Sequence, residues 1–191
     1  DNMSGSVIIM ELLRYFAAHK PARTLKFNWY GSEEQGLLGS KAWVADHKDE
    51  LDKHVLMINV DVAAPTLGHN IALVMATDKA VGYVGGLMQE VGIACDAKLD
   101  IYSSDSIPFA DKGVPAVSFA RIAPQNTATI HNSYDTLAVM KGEQMVEDID
   151  FLIAFTGRMV NAFRCPVAKT IPDNMKEKLD EYLNRKRPGK K

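Results

Sequence analysis

Residues 55–62, reading Val-Leu-Met-Ile-Asn-Val-Asp-Val, narrow the possible folds more than any other stretch of this chain. Five of their first six residues are apolar, so neither face of the strand they predict suits water. Such a strand belongs in a sheet covered on both faces, as parallel sheets are when crossover helices flank them. The run also closes on a carboxylate, Asp61. An unpaired carboxylate at the buried end of a strand costs several kcal/mol unless something neutralises it.

The remaining chain alternates helix and strand signals. Val7, Ile8, Leu12, Tyr15 and Phe16 recur at helical spacing and predict a helix over 5–19, ended by Pro21. Residues 24–30 are β-rich, with Leu25, Phe27 and Trp29 on one face. A helix is expected over 35–51, strands over 70–76, 98–102 and 115–120, and helices over 78–91, 141–163 and 173–186. This order implies an α/β fold: a largely parallel mixed sheet with helices on both faces. Ligands bind such sheets beyond the carboxyl ends of the strands. Glu33 and Glu34 follow the strand expected to end at Tyr30, and Asp61 closes the apolar run. Met3, Met10, Met57, Met75 and Met88 read as core gap-fillers.

Composition bounds the function. The 191 residues fit one domain with a real core. A net charge of −2 gives no case for nucleic acid, and no apolar run approaches the roughly 20 residues of a membrane span. The basic run Arg185-Lys186-Arg187, with Lys190 and Lys191, reads as a solvated tail. Cys95 and Cys165 could pair with each other, pair elsewhere, or remain thiols. The opening at Asp1, without an initiator methionine and inside a motif, reads as a fragment.

Four stretches carry chemistry: Asp1-Asn2-Met3-Ser4-Gly5, Gly31-Ser32-Glu33-Glu34-Gln35-Gly36, Asn59-Val60-Asp61, and His131-Asn132-Ser133-Tyr134-Asp135-Thr136. Singly, each has an ordinary explanation. Asp1 could cap a helix, the glutamate pair could complement a helix dipole, Asp61 could cap a turn and His131 could sit in a surface loop. Together they offer carboxylate and imidazole donors without thiolate, a set that suits zinc, manganese or cobalt.

With Leu37-Leu38-Gly39-Ser40 extending the glutamate block and Ser104-Asp105-x-x-x-Phe109-x-x-x-Gly113-x-Pro115-Ala116 added, the sequence resembles the co-catalytic di-zinc aminopeptidases. Relatives of that family include glutamate carboxypeptidases, glutaminyl cyclases and the transferrin-receptor ectodomain. The likeness covers about residues 1–165, taken as the C-terminal part of the catalytic domain, with 166–191 a terminal helix and basic tail. It implies an N-terminally truncated, zinc-exopeptidase-like α/β/α sandwich. It also implies a metal-dependent exopeptidase that removes N-terminal residues from peptides by attack of a metal-bound water.

By the resemblance, Asp1 bridges two zinc ions, Glu34 and His131 complete one site, and Asp61 serves the other. The second site also takes a histidine from an HxD pair upstream of Asp1, so this chain is expected to lose one zinc. His19, His47, His54 and His69 do not match that position. Glu33 matches the general base. Asp135 is expected either to orient a ligand or to cap its loop, and Asp105 and Tyr102 to lie at the pocket rim. The expected partners are a peptide with a free N-terminus and either the upstream segment or a second copy. The resemblance further implies a secreted or cell-envelope location. Two alternatives stand beside the aminopeptidase: a single-zinc glutaminyl cyclase and a non-catalytic ectodomain.

Overall fold

The computed structural model describes residues 2–124 and 127–185. Helices and strands follow in the order α1 (Met3–Ala18), α2 (Leu38–Asp46), β1 (Met57–Val60), β2 (His69–Met75), α3 (Asp78–Glu90), β3 (Cys95–Lys98), α4 (Ile107–Asp111), β4 (Ala116–Ile122), α5 (Gly142–Asn161) and α6 (Asp173–Tyr182). Two short 3-10 turns, Lys48–Lys53 and Leu137–Val139, complete the set among the described residues.

The four strands form one sheet in the order β1-β4-β2-β3. β1 runs parallel to β4 and β2 parallel to β3, while β2 and β4 are antiparallel. The expected α/β sandwich with a mixed sheet is therefore present, with helices on both faces. On one face α1, α3 and α5 bury Ile8, Leu12, Val84, Leu87 and Phe155 against Val74, Val117 and Phe119. On the other, Ile107 of α4 and Met175 and Leu179 of α6 pack with Met75 and Ala116, beside a third cluster of Val44, Leu51, Phe109 and Val114. Neighbouring strand residues such as Val74 and Met75 enter opposite clusters, as the period of two requires.

The local departures from expectation have physical causes. Residues 24–30 are extended but form no ladder; Leu25 and Phe27 reach the core while Trp29 is exposed, so the three do not share one environment. The helix expected over 35–51 begins only at Leu38, because Gly36 (φ 100°) and Leu37 (φ 61°) are left-handed and cannot belong to it. It breaks at His47 into a 3-10 turn. The strand expected over 98–102 lies earlier, at Cys95–Lys98; after Lys98 the chain leaves the ladder and Leu99 and Ile101 pack into the α4–α6 cluster. α6 ends at Tyr182 rather than 186. Met75 and Met88 are core residues, but Met3 and Met10 lie on the outer side of α1 and are exposed.

Cys95 and Cys165 are free thiols, and burial pushes the Cys95 thiol up to about 12. Arg185 pairs with Asp111 at 2.5 Å and Asp180 at 3.6 Å, while Lys186, Arg187, Lys190 and Lys191 lie outside the described residues. No helix among the described residues is long and apolar enough to cross a membrane.

Candidate active site

The site is assembled by four segments at one end of β1. The first is the N-terminus of α1. Asn2 caps that helix, its Oδ1 accepting from Gly5 N at 2.9 Å, and its Nδ2 donates to Val60 O at 2.9 Å. Ser4 Oγ accepts from Ala63 N at 3.1 Å. These bonds bind the start of α1 to the end of β1. Only glycine allows so close an approach, since a Cβ on residue 5 would stand 2.4 Å from Val60 O. Asp1, the expected bridging ligand, lies outside the described residues.

The second segment is the 31–37 turn. Amides of Gly36 and Leu37 both donate to Glu33 O, at 3.0 and 2.8 Å, and Gly39 N donates to Gly31 O at 3.1 Å. Three residues between 32 and 37 take positive φ: Ser32, Gly36 and Leu37. Strain of this kind persists where surrounding structure over-determines the backbone. Here it turns Glu33 inward and leaves Glu34 exposed.

The third segment crosses the sheet between β3 and α4. It is anchored by a buried hydroxyl cluster, with Ser106 Oγ 2.9 Å from both Ser104 Oγ and Ser118 Oγ, and Ser104 Oγ 3.3 Å from Ser118 Oγ. That anchor presents Tyr102 to Asp61 and Asp105 to the Ser40 side.

The fourth segment is the loop before α5. It is tied to the chain that follows β1 by Thr66 N to Val139 O at 2.8 Å and Lys141 N to Ala64 O at 3.1 Å. His131 consequently reaches Glu34, Nε2 to Oε1 at 2.8 Å, with both side chains 59% exposed. Asp135 is exposed, and its amide closes a turn onto Asn132 O at 3.1 Å.

The electrostatics are those of crowded acids. Burial, with Glu34, Asp61 and Asp105 nearby, raises Glu33 to about 7. Asp61 is raised by burial and then by Asp105 and Glu34, against the Val62 amide and Tyr102 that lower it. Burial also raises Asp105 and Tyr102, the latter with help from Asp61 and Glu33. Asp105 Oδ1 and Asn59 Nδ2 are buried without a hydrogen-bond partner among the described residues.

Glu34 and His131 therefore meet as expected, and Asp61, Tyr102 and Asp105 join Glu33. A three-donor cage does not close among the described residues: the Glu34–His131 pair sits at the rim, while Asp61 lies deeper with Glu33. The donor set still fits a zinc-like cation, because three mutually repelling carboxylates and an orphaned carboxylate oxygen all gain from a positive charge. Sequence reasoning quoted Ser40, Ser104, Asn2 and Asn59 within motifs but missed the hydroxyl cluster and the contacts these residues make. Their signal was polar residues inside otherwise apolar strands, as at Asn59 and Ser118.

The family model described as Peptidase family M28 matches residues 1–155. The chain is a member of Peptidase family M28. Among curated relatives of this M28 chain, a "Probable leucine aminopeptidase" from Arthroderma benhamiae is 27% identical, over 81% of this chain and 46% of its own length. The chain thus spans about half the length of the curated relatives it matches. A zinc aminopeptidase from Bacillus subtilis shares the fold at TM-score 0.74 and 20% identity, covering 90% of this chain and 45% of that one. A glutaminyl cyclase from an Acidobacteriales bacterium does so at TM-score 0.63 and 17% identity, over 78% and 59%.

Proposed function

We propose that this M28 chain is the catalytic part of a zinc aminopeptidase that releases N-terminal residues from peptides. The observation that carries the reading is Glu33, a carboxyl raised to about 7 and set between the Glu34–His131 pair and Asp61. A general base works best with a pKa near the operating pH. Glu33 takes a proton from the attacking water and returns it to the leaving amine.

Glu34 and His131 would hold zinc together with Asp1, and Asp61 would serve a second ion. Bound there, zinc supplies Lewis acidity worth several kcal/mol of charge stabilisation. The Tyr102 phenol faces Asp61 and favours its charged form against burial. The surplus of carboxylates attracts the free α-ammonium of a peptide, which restricts cleavage to the N-terminal residue.

The test is hydrolysis of leucine p-nitroanilide by the zinc-supplemented protein. Glu33→Gln should keep zinc and fold but lose roughly 10²–10⁴ in turnover. Near-normal activity in that variant removes Glu33 from the role. Release of ammonia from an N-terminal glutamine peptide, with no residue release, would replace peptidase by glutaminyl cyclisation.

A further inference from the structure

The turn that leaves β1, Asp61-Val62-Ala63-Ala64-Pro65, contains no glycine, yet Val62 (φ 49°) and Ala64 (φ 63°) stand in the left-handed region. For a β-branched residue such as Val62 that is a genuine outlier. A backbone of this kind persists only where its surroundings over-determine it. Here they do. Val62 N donates to Asn2 Oδ1 at 3.3 Å, Ala63 N to Ser4 Oγ at 3.1 Å and Ala64 N to Asp148 Oδ2 at 3.1 Å. Three successive amides thus end on side chains, two at the start of α1 and one on α5. The carbonyls are held as well. Val62 O accepts from Arg121 N at 2.9 Å, Ala64 O from Lys141 N at 3.1 Å, and Pro65 O from Arg121 Nε at 2.9 Å.

Asp148 stands apart in this set, because it belongs to none of the segments that build the site. It lies in the second turn of α5, half-buried, and reaches Ala64 across 84 residues of sequence. Gln144 Nε2, one turn earlier, donates to its Oδ1 at 3.3 Å. Burial raises Asp148, while the Ala64 amide, Gln144 and the Arg121 guanidinium pull it back toward the charged form. Arg121 is itself fixed by Pro65 O and by Asn70 Oδ1 at 3.2 Å. A backbone N–H bonded to a carboxylate is held about twice as strongly as by a neutral acceptor. A strained turn needs a grip of that strength.

Two donor loops meet at this turn. Asp61 opens it, and the Val62 amide favours the charged form of Asp61. The loop that carries His131 runs into α5 and is pinned to the same turn, by Thr66 N to Val139 O, by Lys141 N to Ala64 O and by a bridge between Pro65 and Met140.

We infer that Asp148 is a positioning residue of the active site: its carboxylate holds Ala64 and the strained 62–64 backbone against α5, and so fixes where Asp61 stands relative to His131. For its effect on zinc and hydrolysis the inference rests on the peptidase reading; the clamp itself does not.

Three variants test it: Asp148→Ala, Asp148→Asn and Asp150→Ala, the last removing an exposed carboxylate from the same helix. In metal-free protein, Asp148→Ala should speed amide exchange at Val62, Ala63 and Ala64 by roughly tenfold or more, while Val74 and Val117 in the sheet keep their protection. It should also shift the NMR signal of the Asp61 carboxyl carbon. Asp148→Asn keeps an acceptor for Ala64 N, since the Gln144 amide can turn its oxygen toward the new NH2 group. That variant and Asp150→Ala should behave like the parent. With zinc, Asp148→Ala should cost roughly 10–100-fold in zinc affinity and in kcat on leucine p-nitroanilide, with KM little changed, and Asp148→Asn should restore both. If Asp148→Ala does not fold, adding Ala64→Gly removes the strain at that position and carries the same readouts against an Ala64→Gly parent.

Unchanged exchange at residue 64 overturns the clamp. Faster exchange there with an unmoved Asp61 signal, or with zinc affinity and kcat intact, leaves Asp148 a structural residue and overturns the positioning role. Exchange that quickens equally at Val74 and Val117 does the same. A parent protein that neither binds zinc nor cleaves the substrate sinks the peptidase reading instead, and the metal-free exchange and the Asp61 signal still decide the position.

Discussion

Two polar clusters sit side by side under the site and obey opposite rules. Ser104, Ser106 and Ser118 are buried completely or nearly so, and each hydroxyl has partners at 2.9–3.3 Å. Glu33, Asp61 and Asp105 are less buried, yet each is raised by burial and the acids press on one another, with Asp105 Oδ1 left unpartnered. The chain can satisfy buried polar groups here, and does so a few residues away. Leaving three acids in conflict is the signature of a site arranged for something positive. The serine cluster is scaffold for that arrangement, because it anchors the segment bearing Tyr102 and Asp105.

The contrast breaks most sharply at Ser118. Ser118→Ala removes a partner from both Ser104 and Ser106 in a dry environment, which should destabilise by about 1–3 kcal/mol. For a chain of this size that lowers Tm by about 2–4 °C per kcal/mol, as calorimetry would register. An unchanged Tm would mean the cluster is not structural. Asp105→Asn should act in the other direction. In chelator-treated protein near pH 7 it relieves repulsion on Glu33 and Asp61 and raises stability. Solvent screening of this partly exposed group keeps the gain to about 1 kcal/mol or less. A fall in Tm of metal-free protein would show that Asp105 is held by partners rather than frustrated.

The sequence made the layers and the ligand candidates legible for separate reasons. The apolar run at 55–62 and the helical periodicities of α1, α3 and α5 are local patterns, and the sheet obeyed them. The Glu34–His131 contact spans 97 residues and was legible only through motif resemblance. What stayed hidden depended on non-local geometry. Residues 24–30 have strand composition, but pairing requires a neighbour at about 4.8 Å, and β1 stands a trough away. The 31–37 turn defeated the helix expected there because Leu37 adopts αL, a conformation no leucine propensity forecasts. Tyr102 reaches Asp61 because a serine cluster whose members lie 12 and 14 residues apart anchors its segment.

The smallest effect is the most specific to the acid cluster. Glu33 has an ordinary value of 4.5 and a folded value of about 7. Below pH 4.5 it is protonated in folded and unfolded chains alike, so it contributes no pH slope. Between 4.5 and 7 the folded chain keeps a proton that the unfolded chain has released, and stability falls as pH rises. Asp61 and Asp105, also raised, act in the same direction. Glu50, Glu90, Asp100 and Asp111, all lowered, act oppositely, but their stabilisation is lost only as pH falls through the acid range. Metal-free protein should therefore be most stable on the acid side of neutrality and lose ground toward pH 7. The Glu33 share is less than about 1 kcal/mol after screening, a Tm change of about 2 °C. Thermal melts in chelator at intervals from pH 4.5 to 7.5 would measure it, with Glu33→Gln as the control. The variant should show a shallower decline, because the glutamine has no proton to release. Parallel curves for the two proteins would mean that Glu33 titrates normally and that the acids are not in conflict.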